Sequence, residues 1–155
     1  MKKVALYLAL IAAVAFLGKE GSHGENVGDL LPVQLVLAQW TEGELQLVTD
    51  TGYTGAGDSV EEALADMNEA ASGKIFMDTA DYLLIRKNAL IHLDELSDYL
   101  RPSCAVCLVT GSVDLSEAAE YLSYHIPMLS LAMYRAGERT LPNLTSAEGR
   151  MKLEY

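Results

Sequence analysis

Ala80-Asp81-Tyr82-Leu83-Leu84-Ile85 is a nearly unbroken apolar run of good strand formers. A strand that is apolar at successive positions offers no face to water, so it belongs in the middle of a sheet covered on both sides. Cys104-Ala-Val-Cys-Leu-Val-Thr110 is a second run of the same kind. Between the two, a helix is predicted from Asn88 to Leu100, with Leu90, Ile91, Leu93, Leu96 and Leu100 facing inward and Pro102 closing it.

Upstream, Leu35–Trp40 and Leu45–Thr49 flank the polar Thr41-Glu-Gly-Glu44, which reads as a β-hairpin. Leu45 and Leu47 alternate with Gln46, so the second strand keeps one face wet. The glycine-rich loop Gly52–Asp58 then leads into a helix that opens on Ser59 with Glu62 three residues on, the spacing of a capping box. Val60, Ala63, Leu64, Met67, Ala70 and Ala71 recur at helical spacing, and Gly73 stands where a C-terminal glycine belongs. Downstream, Asp114 with Glu117 starts a third helix through Ala118, Ala119 and Leu122. Pro127 interrupts it, 128–136 suits a fourth, and the tail from Arg139 has no clear pattern. The order β-β-α-β-α-β-α(-α) predicts one α+β or α/β domain over residues 30–155. Its mixed four-stranded sheet, the hairpin plus two buried strands, carries three to four helices.

The chain begins Met1-Lys2-Lys3, followed by fourteen uncharged, mostly apolar residues from Val4 to Leu17. As a helix that run covers about 21 Å, short of a hydrocarbon core of about 30 Å. A positive start, a short apolar stretch and Ala13-Val14-Ala15 are the parts of a signal peptide; an uncleaved anchor ending at Gly18-Lys19 is the alternative. Either fate leaves the lysine pair inside and the domain on the extracytoplasmic face of the cell membrane, or secreted. Residues 18–29 read as a linker. If uncleaved, residues 4–17 make the membrane itself a partner.

Half of the 155 residues are hydrophobic and 21% are charged, a globular balance. The net charge of −11 leaves no basic footprint for a nucleic acid, and none is expected as a partner. No catalytic, cofactor-binding or metal-binding residue stands out, and no cofactor is expected. The glycines run G-x-x-G-x-G with no following Lys-Ser/Thr, and Asp50, Asp58, Glu61 and Glu62 surround them, so a phosphate cradle is disfavoured. Asp50 and Asp58 lack the alternating oxygen ligands of a calcium loop. Cys104 and Cys107, three apart on a strand, point to opposite faces and can neither bridge nor share a metal. His23, His92 and His125 sit in no nucleophile motif, and nothing marks Cys104 with His125 as an activated pair.

Gly57-Asp-Ser59-Val60-Glu-Glu62-Ala63-Leu64, then Asp81–Ile85, then Ala105–Val109 ending near Gly111 resemble the N-terminal domain of the Ger(x)C family, the C subunits of spore nutrient germinant receptors. In that family a hairpin leads to a Gly-x-Ser/Thr-hydrophobic-x-Glu-Ala helix, then an apolar strand, a helix and a strand. The match covers roughly residues 28–112. Members carry a lipid-bearing cysteine directly after the leader and continue into further domains. This chain has no cysteine before Cys104, so as a short relative its anchor would be the apolar segment. The resemblance implies no enzymatic activity and a place in an envelope complex of a spore-forming bacterium. The expected function is a non-enzymatic, membrane-associated interaction domain with protein partners in the cell envelope. A small-ligand-binding domain using the glycine loop as a lip is the second expectation, and a hydrolase the third. A deep apolar pocket would favour the ligand, and a flat apolar patch the protein partner.

Overall fold

A computed structural model describes residues 30–147 and 149–155. The expected leader at 4–17 and linker at 18–29 lie outside the described residues. Fifteen elements follow one another: β1 (Leu30–Pro32), β2 (Leu35–Thr41), β3 (Glu44–Thr49), β4 (Thr54–Gly57), α1 (Val60–Ala70), β5 (Lys74–Phe76), a 3-10 turn (Met77–Thr79), β6 (Tyr82–Ile85), a longer 3-10 segment (Lys87–His92), α2 (Leu93–Tyr99), β7 (Ala105–Thr110), α3 (Leu115–Tyr124), α4 (Leu131–Arg135), β8 (Asn143–Ala147) and β9 (Arg150–Glu154).

The fold class is α+β, with a mixed sheet. That sheet has seven strands in the order β4-β3-β2-β6-β7-β8-β9 rather than the four expected. β2, β6, β7 and β8 are parallel neighbours, and antiparallel hairpins add β3 and β4 at one end and β9 at the other. β1 and β5 form a separate two-stranded parallel pair. The missed strands are short or glycine-bearing: β4 is Thr-Gly-Ala-Gly, and β8 and β9 sit in the tail that showed no clear pattern.

The first hairpin turns on two residues, Glu42 (φ 57°) and Gly43 (φ 93°), not on four. Positive φ at both central positions is the turn whose twist matches a right-handed strand pair. Asp50 seats the start of β2, its Oδ1 accepting from the N–H groups of Gln34 and Leu35 at 3.1 Å each.

Every residue of β6 is buried, as the apolar run requires. Side chains alternate between two cores. Leu83, Ile85, Cys104 and Val106 lie with Val36, Ala63, Met67, Leu93, Leu96 and Leu131 under α1, α2 and α4; Tyr82, Leu84, Ala105, Cys107 and Val109 lie with Leu35, Ala118, Ala119, Leu122 and Leu144 under α3.

α1 is capped as its spacing predicts. Ser59 Oγ accepts from the Glu62 N–H at 3.2 Å, while Glu62 Oε2 reaches one residue further back, to the Asp58 N–H at 2.9 Å. Its far end departs from expectation. Ala71 takes an extended conformation, Ala70 is exposed, and Gly73 lies two residues beyond the cap. Asn68 closes the helix instead, donating to the Leu64 carbonyl at 2.8 Å and accepting from the Ile75 N–H at 2.7 Å.

The helix expected over 88–100 is split into the 3-10 segment and α2. Three residues per turn shift the inward face, so Ala89 is buried and Ile91 is 84% exposed. Asp114 caps α3 through the Glu117 N–H at 2.9 Å, as expected. The fourth helix is the short α4, capped by Ser130 at the Met133 N–H. Arg135 ties α4 to the C-terminal end of α2, bonding the Ser97 hydroxyl (3.0 Å), the Ser97 carbonyl and Asp98 (3.0 Å). A cation there meets the carbonyl end of the helix dipole.

Candidate functional site

The glycine-rich stretch is a loop only at its ends, at Gly52 and Tyr53 and at Asp58. Gly55-Ala-Gly57 belongs to β4, directly beneath α1. A Cβ on Gly55 would stand 2.1 Å from the Ala63 carbonyl oxygen, and one on Gly57 2.5 Å from Glu62 Cβ. These glycines let helix and strand backbones meet. The outward N–H of Ala56 is taken by Asp66 of α1 at 2.9 Å, which blunts the edge of the sheet.

The groups weighed for catalysis are dispersed. Cys104 and Cys107 are both free thiols and both fully buried. Burial pushes each thiol up to about 12, against which the nearby Arg101 charge works weakly at Cys104. A thiol that stays protonated is a poor nucleophile and a poor metal ligand. Cys104 packs under α1 and α2, whereas His125 ends α3 on the opposite face, so the sheet separates them. His125 stacks on Tyr121 with ring centroids 4.2 Å apart, and its Nδ1 lies 3.1 Å from the Tyr121 carbonyl oxygen. His92 stacks on Trp40 at 5.2 Å and faces Glu95 at 3.5 Å. Glu95 in turn accepts from the Val60 N–H at 3.0 Å, so that group serves the start of α1. His23 lies outside the described residues. Asp50 is committed to β2, and among the described residues no three His, Cys, Asp or Glu side chains gather as a metal site.

Two surface regions stand out among the described residues. The first runs from the end of α3 across α4 to β9. Tyr124 is 80% exposed, Ile126 63%, Met128 74% and Met133 46%. Met128, Leu129, Met133, Pro142 and Tyr155 line a shallow hollow of about 260 Å³, with Glu138 and Thr140 on its margin. A second shallow hollow, lined by Tyr121, Tyr124, His125 and Met151 with Glu117 and Glu120, opens beside α3. Single exposed apolar side chains are normal on any protein; several from one stretch of chain, rimmed by acids, are not. Nothing in the sequence singled them out. They flank Pro127, and no element among the described residues covers them.

The second is a polar crevice at the carboxyl ends of β6 and β7, built around Arg86. Its Nε donates to Gln39 Oε1 at 3.0 Å and its Nη2 to the Gly111 carbonyl at 2.9 Å. Gln39 is itself fixed by donation to Gln46 at 2.6 Å. Asn88 clamps Trp40, accepting from its N–H at 3.2 Å and donating to its carbonyl at 2.7 Å.

No family model, curated protein or solved structure matches the chain. Among the described residues, no helix is long and apolar enough to cross a membrane.

Proposed function

We propose that this chain is a non-enzymatic interaction domain, held at the extracytoplasmic face of a membrane by residues 4–17. Its α3–α4–β9 surface docks a protein partner in the cell envelope. The observation that carries this reading is the exposed apolar set Tyr124, Ile126, Met128 and Met133, beside two shallow hollows. Methionines suit such a surface because unbranched thioethers adapt to a partner's shape. Glu117, Glu120 and Glu138 border it, and the chain carries −11 overall. The partner's complementary face is therefore apolar at its centre and lysine- or arginine-bearing at its rim. The resemblance to the Ger(x)C family supports a complex that serves spore germination or sporulation.

The test is a photo-crosslinker at position 128 in the native host, compared with one at Glu69 on α1. Position 128 should trap one envelope protein, and Tyr124→Ser with Ile126→Ser should abolish the adduct without moving the unfolding midpoint. Equal adducts from positions 128 and 69, or an adduct that survives the double substitution, sinks the docking surface. Spores lacking the chain should respond poorly to nutrients. Normal germination removes that assignment and leaves the docking surface to its own test.

A further inference from the structure

The chain leaves β6 and β7 in opposite directions. After β6 the 3-10 segment and α2 put Ala89, Leu93 and Leu96 into the core beneath α1, whereas after β7 α3 puts Ala118, Ala119 and Leu122 into the core on the other face. The segments that directly follow these two parallel strands pass to opposite faces and leave a crevice between them at the strands' carboxyl ends, the end of a parallel sheet at which ligands bind, although the strand order β2-β6-β7-β8 does not reverse here. In this protein the crevice measures about 300 Å³. Arg86, Lys87 and Asn88 line its β6 side; Val109, Thr110 and Gly111 line its β7 side.

Arg86 and Lys87 are the only adjacent cations beyond Lys2-Lys3 in a chain of net charge −11. The Arg86 guanidinium is held in place by Gln39 and the Gly111 carbonyl. Those bonds use two of its five N–H donors. The other three have no partner among the described residues, and they include one on each terminal nitrogen. Asn88 is occupied by the Trp40 backbone, so it acts as a wall. Lys87 is exposed at the mouth.

We infer that this strand-end crevice binds a small carboxylate, gripped by the two terminal nitrogens of Arg86 and attracted by Lys87. A planar guanidinium fork matches a planar carboxylate with two parallel hydrogen bonds. The prior fixing of Arg86 reduces the ordering cost of binding. The small volume and the surrounding negative charge select a compact acid over a polyanion. The site is separate from the α3–α4–β9 surface and stands or falls without it.

The experiment titrates succinate and acetate into the full-length, 15N-labelled chain in zwitterionic detergent, with sodium chloride at matched ionic strength as control. Saturable shifts are expected at the Lys87 and Gly111 amides and at Arg86 Nε, with chloride leaving those signals in place. Lys87→Gln should weaken binding roughly two- to fivefold, as an exposed charge does. Arg86→Lys keeps the charge and loses the fork, and should weaken it roughly tenfold or more. If Arg86→Lys loses its amide dispersion, Lys87→Glu, a surface change, takes over and must weaken binding by more than Lys87→Gln does. Equal shifts with chloride, shifts spread evenly over Arg101, Arg135 and Lys152, or unaltered affinity in Lys87→Glu overturns the site.

Discussion

Cys104 and Cys107 lie three residues apart and belong to different cores, one beneath α1 and α2 and the other beneath α3. Their spacing on a strand was enough to foresee the opposite faces, because side chains alternate with a period of two. Burial raises both thiols from 9.0 to about 12. In the unfolded chain the thiols ionise near their ordinary value while in the fold they stay protonated. The folded state then binds more protons, and stability falls as pH rises from about 9 toward 12, by up to about 1.4 kcal/mol per pH unit for each thiol. Urea midpoints at pH 7, 9 and 10.5 should therefore drop more steeply for the native chain than for Cys104→Ala/Cys107→Ala. Parallel slopes would show that the thiols do not titrate this way. Ser59 and Asp114 were equally legible, since a cap needs only local chain. Ile91 was not, because whether position 91 faces inward depends on a 3-10 geometry that apolar spacing does not encode.

At the level of the element, α1 over β4 is the contact the sequence described least well. Gly55 and Gly57 read as loop residues because glycine weakens a strand, yet they pair with Leu47 and Leu45 as the edge of the sheet. What they supply is space. Replacing Gly55 with Ala forces α1 outward against the Ala63 carbonyl. This should cost about 1–3 kcal/mol by overpacking, and Gly52→Ala, where nothing lies within 4 Å of the new Cβ, provides the comparison. Gly52 has φ +88°, so its substitution carries only backbone strain. Denaturant midpoints for the two variants separate the effects. If Gly55→Ala unfolds no earlier than Gly52→Ala, helix and strand are not in the close contact described. The Arg86 crevice was invisible for a related reason: its lining comes from two strand ends separated by helix α2, and only the strand pairing brings them together.

For the molecule as a whole, the buried members of both cores come, among the described residues, from Val33 to Leu144, with Met151 and Leu153 at the margin. A version beginning at Glu25 should unfold cooperatively with an unchanged denaturant midpoint. The full-length chain should sediment with membranes, and Leu10→Asp with Val14→Asp should keep it in the cytoplasm. An unfolded shortened chain, or a full-length chain already cytoplasmic, refutes the division of labour between leader and domain. The sequence by itself determined the buried central strands, the hairpin, two helix caps, the opposed cysteines and a mixed sheet with helices packed on it. Each of these follows from periodicity or from partners a few residues apart. Only the tertiary structure decided the seven-stranded sheet, the role of the glycines, the exposure of Tyr124, Ile126, Met128 and Met133, and the crevice at Arg86. These depend on which distant strands become neighbours and on which helix leaves a face bare, and no local pattern of residues carries that information.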